Sequence, residues 1–250
     1  MSVPSPNLLH ARWALWFHSL NNDNWDHDSY AILDIIDSTT SFAATRRSIR
    51  NISTISASRP SRGPKDLVNG AMLFWMRERT TLSGSRFLYP SWEDSGNAEG
   101  GVACFVCEAN TATDLFWYLS SCAAGETLFQ DARDGVLLVN GVSLCPRGGI
   151  NSVVKIWLGD CSRLILIAGK TRNISDDPVG RARVIVDRLS THARARLSGI
   201  KKSYHILHRT SQKKDDLQTT IRHRELKHRT RPKKKHSLYA RRRYNNRYPK

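Results

Sequence analysis

The chain has 250 residues, 40% of them hydrophobic, and a formal net charge of +17. This length and this hydrophobic fraction are enough for one soluble domain with a core of its own. It has no apolar run of membrane length, and residues 1–7 lack the charged-then-apolar pattern of a secretory signal. We therefore expect neither a membrane-spanning nor a secreted protein, and a cytoplasmic or nuclear location.

Most of the positive charge lies at the C-terminal end of the sequence. Residues 201–250 contain nine Lys and nine Arg against three acidic residues, a net +15, which leaves +2 for residues 1–200. This composition predicts a basic, disordered tail over residues 210–250 that contacts RNA or carries a nuclear address. A flexible arm over residues 1–8 and one domain over residues 9–209 complete the predicted organisation.

The first predicted element is a strand. Residues 12–17 alternate charged or small side chains with large apolar ones, as in a strand that enters a core. A turn over residues 21–24 follows. Trp25 then lies among polar residues that give it little reason to be buried, so it is a candidate for a ligand-binding face. The alternative is an exposed tryptophan that contacts a protein.

A second strand is predicted over residues 30–36, and the polar residues after it offer N-caps for a helix over residues 42–49. Residues 50–65 are rich in Ser, Arg and Pro and predict a long loop. Residues 71–76 form an apolar run, which predicts a strand with Trp75 in the core.

Residues 89–94 carry the sharpest chemical signal, and the pair Gly100 and Gly101 follows them. Trp92 next to Glu93 places a flat aromatic ring beside a carboxylate. A ring of this kind stacks on any base with ~1–3 kcal/mol, whereas a carboxylate selects guanine, the purine that offers two adjacent N–H donors on one edge. The alternative is a half-buried ring beside a solvated acid.

The remaining elements alternate between strands and helices. They are a strand over residues 102–107, a helix that Asp114 caps and that runs towards Gly125, hairpin strands over residues 136–144 and 151–157, a helix over residues 179–189 and a last strand over residues 204–207. On the second hairpin strand, alternation places Val153, Lys155 and Trp157 on one face, so a cation and an aromatic ring share a surface.

The five cysteines are an odd number and fit reduced thiols. Cys104 and Cys107 form a Cys-x-x-Cys, but on a strand this spacing sends the two thiols to opposite faces, and no second pair follows. The sequence shows no nucleophile–base pair and no phosphate loop, and its nine histidines are scattered. We therefore predict no metal site, no cofactor and no enzymatic activity.

Several of these motifs occur in one order and at roughly one spacing in a known family. They are residues 12–17, Trp25, Trp92 with Glu93, residues 115–117 and residues 155–157. On these residues the chain resembles the eukaryotic initiation factor 4E family, which binds the 7-methylguanosine cap of mRNA. The resemblance extends from residue 9 to residue 208, apart from a hydrophilic stretch in the middle.

The resemblance implies an α+β fold, a curved antiparallel β-sheet with about three helices on its convex face. It implies that Trp25 and Trp92 sandwich the methylated base, that Glu93 binds the guanine edge and that Trp157 touches the N7-methyl group.

The resemblance also implies that Arg147 and Lys155 bind the cap phosphates, since the Arg fork suits phosphate oxygens. Two positions depart from the family. Val153 stands where the family has a strand Lys, with Lys155 as its substitute, and Val102 replaces a basic residue after the glycine pair.

Partner binding is the other point at which the sequence departs from the family. The resemblance places the docking of partner helices on the convex back, around Phe42, Ala43, Trp117 and Tyr118. The family has a Trp where this chain has Ala43, and its His-Pro element is incomplete at His10. Loss of an aromatic anchor removes a few kcal/mol of binding, which argues against ordinary scaffold binding.

The predicted function is cap binding in translation initiation. Two alternatives remain: a divergent cap-binding repressor or specialised form without ordinary scaffold binding, and a basic RNA-binding or scaffold protein that has lost cap selectivity. The predicted partner is capped mRNA, through the cap and the tail. The scaffold 4G and 4E-binding proteins are the partners that the resemblance implies and that Ala43 argues against. The protein is predicted to be a monomer without membrane contact.

Overall fold

The structure, a computed structural model, describes residues 7–20, 22–49, 71–81, 84–130, 138–147, 151–161, 177–198 and 200–208. The predicted tail over residues 210–250, the predicted loop over residues 50–65 and most of the predicted N-terminal arm lie outside the described residues. No helix in these ranges is long and apolar enough to cross a membrane.

A single curved, unclosed antiparallel sheet organises the fold, as predicted. Its strands are β1 (Leu8–Ser19), β2 (Tyr30–Ser38), β3 (Ala71–Thr81), β4 (Gly84–Phe87), β5 (Gly101–Glu108), β6 (Val139–Pro146), β7 (Asn151–Leu158) and β8 (Lys202–Leu207). Across the sheet they run in the order β2-β1-β3-β6-β7-β5-β8, and β4 pairs with β3. β2 and β8 therefore form the two edges.

The helices of the described residues are α1 (Thr39–Ser48), α2 (Ala109–Ala124), α3 (Pro178–Arg188) and the short α4 (Thr191–Arg196). Local caps explain where two of them begin. The Ser38 hydroxyl accepts from the Ser41 backbone N–H in a capping box, and the Asp177 carboxylate accepts from the Val179 N–H with Pro178 in the first turn.

The predicted start of α2 at Asp114 is wrong. Strand β5 ends at Glu108 and the chain enters the helix at once, so Glu108 is the N-cap residue and Asp114 lies in the second turn. Asp114 is therefore too far inside the helix to cap its start.

The convex face of the sheet carries the main core, which packs against the helices. Trp13 and Trp75 stack with their ring centroids 5.9 Å apart, and Trp117 of α2 meets Trp75 at 6.3 Å in an edge-to-face contact. All three rings are fully buried. The prediction that Trp75 belongs to the core is confirmed.

The concave face carries a second apolar cluster, built by the residues that alternate with those of the core. It includes Phe74 of β3, Val102 and Cys104 of β5, and Trp157 of β7. Cys107 belongs to the core on the other face, which confirms that the two thiols of the Cys-x-x-Cys point apart. The candidate site residues lie on and around this concave cluster.

Candidate functional site

Aromatic rings form a continuous series of contacts over the concave face. Consecutive ring centroids are 6.3 Å apart for Trp25 and Tyr30, 5.6 Å for Tyr30 and Phe74, 6.2 Å for Phe74 and Trp157, 5.5 Å for Trp157 and His208, and 5.8 Å for His208 and Trp92. The series begins and ends at the two tryptophans that the sequence singles out as base-stacking rings. No direct ring contact joins these two.

Trp25 stands at one end of this series with 53% of its surface exposed. The buried His18 ring stacks on it almost in parallel, at 4.2 Å between centroids and 7° between planes. The His18 ring is itself held by a hydrogen bond from Nε2 to the Asn24 carbonyl, 2.9 Å long. One face of the indole is thus supported from the sheet, and its exposed surface is available to a ligand.

The loop that carries the other tryptophan is held by Asp94. The carboxylate accepts two hydrogen bonds from the Arg86 guanidinium, of 2.6 and 2.9 Å, and others from the backbone N–H groups of Tyr89 and Gly96. Burial raises the pKa of Asp94, but the bonds from Arg86 and from the two N–H groups outweigh it and lower the pKa below its usual value. Asp94 therefore holds the loop as a charged anchor.

A pair of buried asparagines holds the same loop from below. The Asn97 side-chain amide donates to the carbonyls of Tyr89 and Ser91, both at 2.9 Å. The Asn140 amide at the start of β6 donates to the Asn97 side-chain oxygen at 2.9 Å and to the Gly96 carbonyl at 2.7 Å. Three of these four bonds are buried and the bond to the Ser91 carbonyl is partly buried, so the network fixes the loop to the sheet.

Trp92 projects from this loop half-buried, with its ring stacked against His208 at 17°. The His208 Nδ1–H donates to the Asn97 carbonyl at 2.6 Å, which leaves the Nε2 lone pair of the neutral ring without a partner among the described residues. Burial lowers the pKa of His208, although the bond to Asn97 opposes this. An imidazole ring thus backs each of the two tryptophans.

Glu93 is exposed beside Trp92, and the Ser91 hydroxyl donates to its carboxylate. Its charge affects the pKa values of two rings in the series, Tyr30 and His208. Burial raises the pKa of Tyr30 most, with further contributions from Tyr89 and Glu93, and Glu93 also raises the pKa of His208 against the larger effect of burial. The carboxylate therefore lies close enough to Tyr30 and His208 to affect their pKa values.

The third predicted base contact, Trp157, is only 2% exposed. Its indole N–H donates to the Ser143 hydroxyl at 3.0 Å, and Phe74 and His208 pack against its ring. The His208 ring lies between Trp157 and Trp92 and contacts both. Trp157 thus forms the buried floor of the site.

The two predicted phosphate ligands lie further along the same face. Arg147 is exposed directly after β6, and Lys155 is half-buried on β7, opposite Cys104 of β5. Burial raises the pKa of the Cys104 thiol, and Lys155 and Arg147 oppose this increase, so both cations lie near that thiol. Val102 and Val153, which replace basic residues of the family, are buried in the concave cluster.

The predicted partner surface on the back divides into exposed and buried positions. Phe42 packs edge-on against Trp75 and Trp117, at 5.2 and 5.9 Å. Trp117 is 1% exposed and supports the surface from beneath, whereas Ala43 is exposed. Tyr118 is half-buried, with the Arg196 guanidinium 5.0 Å from its ring centroid.

Sequence reasoning missed His18, His208, Asn97 and Asn140. Strand alternation could have indicated the two histidines, because His18 shares its face with Trp16 and His208 continues the alternation of Tyr204 and Ile206. The asparagines have no local signal, since Asn97 and Asn140 contact each other across 43 residues of sequence and His208 contacts Asn97 across 111. Among the described residues, no group of three or more His, Cys, Asp or Glu side chains could hold a metal ion.

No family model matches the sequence, and no curated protein is significantly similar to it. Solved structures are similar to it in fold. A complex of C. elegans eIF4E-3 with the 4E-binding protein Mextli and a cap analog superposes with a TM-score of 0.52 at 17% identity, over 82% of this chain and 95% of that chain.

Two further structures are similar at lower scores. A complex of Ascaris suum eIF4E-3 with the m7G cap has a TM-score of 0.45 at 20% identity, over 64% of this chain and 78% of that one. A schistosome eIF4E complex with m7GpppA and 4E-BP has a TM-score of 0.45 at 17% identity, over 71% and 83%. The likeness to the C. elegans eIF4E-3 structure establishes an eIF4E-like fold for this chain.

Proposed function

We propose that this protein binds the 7-methylguanosine cap of mRNA and acts in translation. The observation that carries the proposal is the joint presentation of Trp92 and Glu93 by one loop, which Asp94 and Asn97 fix to the concave face. The fold supports it, because the similar nematode eIF4E-3 structure contains a cap analog. In this proposal the protein acts as a cytoplasmic monomer and catalyses no reaction.

The base is held by stacking. Methylation at N7 gives guanine a positive charge, so a base between Trp25 and Trp92 gains cation–π attraction of ~1–2 kcal/mol in addition to stacking. The imidazoles of His18 and His208 support the two rings from the protein side. The lowered pKa of His208 keeps its ring neutral near pH 7, so it places no second cation next to a positively charged base.

Selectivity for guanine comes from Glu93. Its two carboxylate oxygens accept from the N1–H and N2–H donors of guanine, whereas adenine offers no such pair. The negative charge of the carboxylate also favours the methylated, cationic base. Arg147 and Lys155 neutralise the phosphate chain, and the basic tail follows the RNA with contacts that depend on salt but not on sequence.

Titration with 7-methyl-GTP and with GTP, followed by tryptophan fluorescence, tests the proposal. We expect the wild-type protein to bind the methylated nucleotide about tenfold more tightly, the ratio that cation–π attraction supplies. Trp92→Ala is expected to weaken binding at least about tenfold because stacking is lost. Glu93→Gln is expected to reduce the preference for guanine over adenine nucleotides.

The control variant is Glu108→Gln, which removes a carboxylate at the far end of β5, where it pairs with Lys201. It should bind like the wild type. Equal and weak responses to both nucleotides would contradict the proposal and favour a basic RNA-binding protein without cap selectivity.

A second candidate is a specialised cap-binding protein with weak scaffold binding, which the exposed Ala43 on α1 favours. We expect a helical 4E-binding peptide to bind the wild type weakly and Ala43→Trp at least about tenfold more tightly, because an aromatic anchor contributes ~2 kcal/mol or more. The neighbouring exposed Ala44 provides the control Ala44→Trp, which points elsewhere on the helix and should change little. Equal binding by wild type and Ala43→Trp, measured by calorimetry, would contradict this second candidate.

A further inference from the structure

The edge strand β8 continues the concave face beyond the aromatic series. Its residues at every second position are Lys202, Tyr204 and Ile206, and His208 follows them in the same alternation. Tyr204 and Ile206 pack against the concave cluster, and both remain half-exposed. The surface of β8 therefore leads from the Trp92 loop, where His208 lies, along the strand towards Lys202.

The pairing of β8, β5 and β7 places these side chains in rows across the sheet. Tyr204 is opposite Cys104, and Cys104 is opposite Lys155. In the next row towards the candidate site, Ile206 and Val102 lead to Trp157, and in the next row away from it Lys202 and Val106 lead to Val153. Rows on one face are ~7 Å apart.

Tyr204 is positioned as an aromatic platform in this arrangement. Tyr204 packs against the concave cluster, and the ammonium of the exposed Lys202 lies over its ring, 5.8 Å from the centroid. Burial raises the pKa of Tyr204, so the phenol stays neutral near pH 7, and the nearby Arg147 opposes this effect. A neutral, half-exposed ring is thus bordered by Lys202, Arg147 and Lys155.

Aromatic rings and cations alternate along this path. From the buried Trp157 at the floor of the site, the concave face leads to Lys155, then to Tyr204 and then to Lys202. The three rows contain no acidic residue. A single-stranded nucleic acid alternates flat bases with charged phosphates in the same way, and proteins bind it through stacking rings within a positively charged groove. An acidic peptide would match the cations but not the ring.

We propose that the concave face binds the RNA nucleotide that follows the cap, with its base stacked on Tyr204 and its phosphate between Lys155 and Lys202. The inference rests on the proposed function, which places the cap base between Trp25 and Trp92 and its phosphate chain at Arg147 and Lys155. It assigns Tyr204 and Lys202 to a second site, one that accepts any base because every base has a π-face.

The test compares two probes on the full-length protein, 7-methyl-GTP and a 5′-capped RNA pentanucleotide, in one buffer at fixed salt. We expect the wild type to bind the capped pentanucleotide about tenfold more tightly than 7-methyl-GTP, as stacking of one base allows. Tyr204→Ala should lose this preference and keep its affinity for 7-methyl-GTP, which also shows that the variant is folded. Tyr204→Phe should retain the preference, because the ring is conserved.

Lys202→Gln and Lys201→Gln form a matched pair of neighbouring lysines. Lys202 borders Tyr204, whereas Lys201 pairs with Glu108 and Asn151. Only Lys202→Gln should weaken binding of the pentanucleotide and reduce its salt dependence. A wild type that binds both probes equally, or a Tyr204→Ala variant that keeps the preference, overturns the inference. Failure of the proposed function would give a different result, namely equal binding of 7-methyl-GTP and GTP by the wild type.

Discussion

Asn97→Ala is expected to lower the free energy of unfolding by about 3–5 kcal/mol, because each buried polar group left without its partner costs ~1–3 kcal/mol. The substitution deprives the carbonyls of Tyr89 and Ser91 and the amide of Asn140 of a partner. Urea denaturation at pH 7 measures the change. The loop that carries Trp92 and Glu93 should loosen, so the variant should also lose affinity for 7-methyl-GTP.

The matched control is Ser95→Ala in the same loop. Ser95 is exposed, and its hydroxyl accepts one bond from Arg86 at 3.2 Å, so a change within ~0.5 kcal/mol is expected. Asn140→Ala should also be destabilising, and the double variant should lose less than the sum, since the two amides share one network. A loss below ~1 kcal/mol for Asn97→Ala would show that the network contributes little.

A decrease in pH from 7 to 5 is expected to destabilise the protein through His205, a residue of β8 whose side chain is buried against Arg181 of α3. The Arg181 Nε–H donates to His205 Nδ1 at 3.2 Å, so the ring carries its proton on Nε2, which faces the Cys161 sulfur at 3.6 Å. Burial, and then the charges of Arg181 and His208, lower the pKa of His205 to about 3. Protonation of Nδ1 would place its new N–H opposite the Arg181 Nε–H, so this hydrogen bond would be lost.

The direction of the pH effect on stability follows from proton binding in the folded and the unfolded chain. In the unfolded chain a histidine binds a proton below pH ~6.5, whereas folded His205 stays neutral until pH approaches 3, so the unfolded state binds more protons between these values. Stability therefore falls as pH decreases through this window, by ~1.4 kcal/mol per pH unit and about 2 kcal/mol at pH 5. His208, whose pKa is also lowered, adds to the effect in the same direction.

Urea denaturation of the wild type and of His205→Gln at several pH values between 5 and 7 measures this effect. The measured range, pH 5 to 7, lies above the ordinary pKa values of the carboxylates, ~3.9 for Asp and ~4.3 for Glu. The variant should show a flatter dependence on pH whatever its absolute stability, and His192→Gln, at an exposed histidine of α4, should keep the slope of the wild type. An unchanged slope in His205→Gln would contradict the assignment.

Much of the fold could be predicted from the sequence, because its signals are local. Alternation indicated β1, and β-branched and aromatic residues indicated β2. The polar residues before α1 and α3 indicated their starts, which Ser38 and Asp177 cap. Strand β4 and helix α4 were missed because each is too short to show a period. The start of α2 was misplaced because Asp114 is a good cap in isolation.

The candidate site divides in the same way. Trp92 and Glu93 stand together in the sequence, and their chemistry could be inferred from that alone. The contacts that orient them join residues far apart in the chain, such as Asn97 with Asn140 and Asn97 with His208. Such pairs depend on the folded topology, and no pattern of neighbouring residues indicates them.

The five cysteines offer a way to observe how this protein opens. All are free and buried, and burial raises the pKa of the Cys104, Cys107 and Cys161 thiols, that of Cys161 to about 12. A thiol-specific reagent attacks thiolates, so these groups react only when a local fluctuation exposes them. Cys104 lies on the concave face of β5 and Cys107 on its helix-covered face. The relative rates of alkylation at these two positions therefore report which side of the sheet separates first.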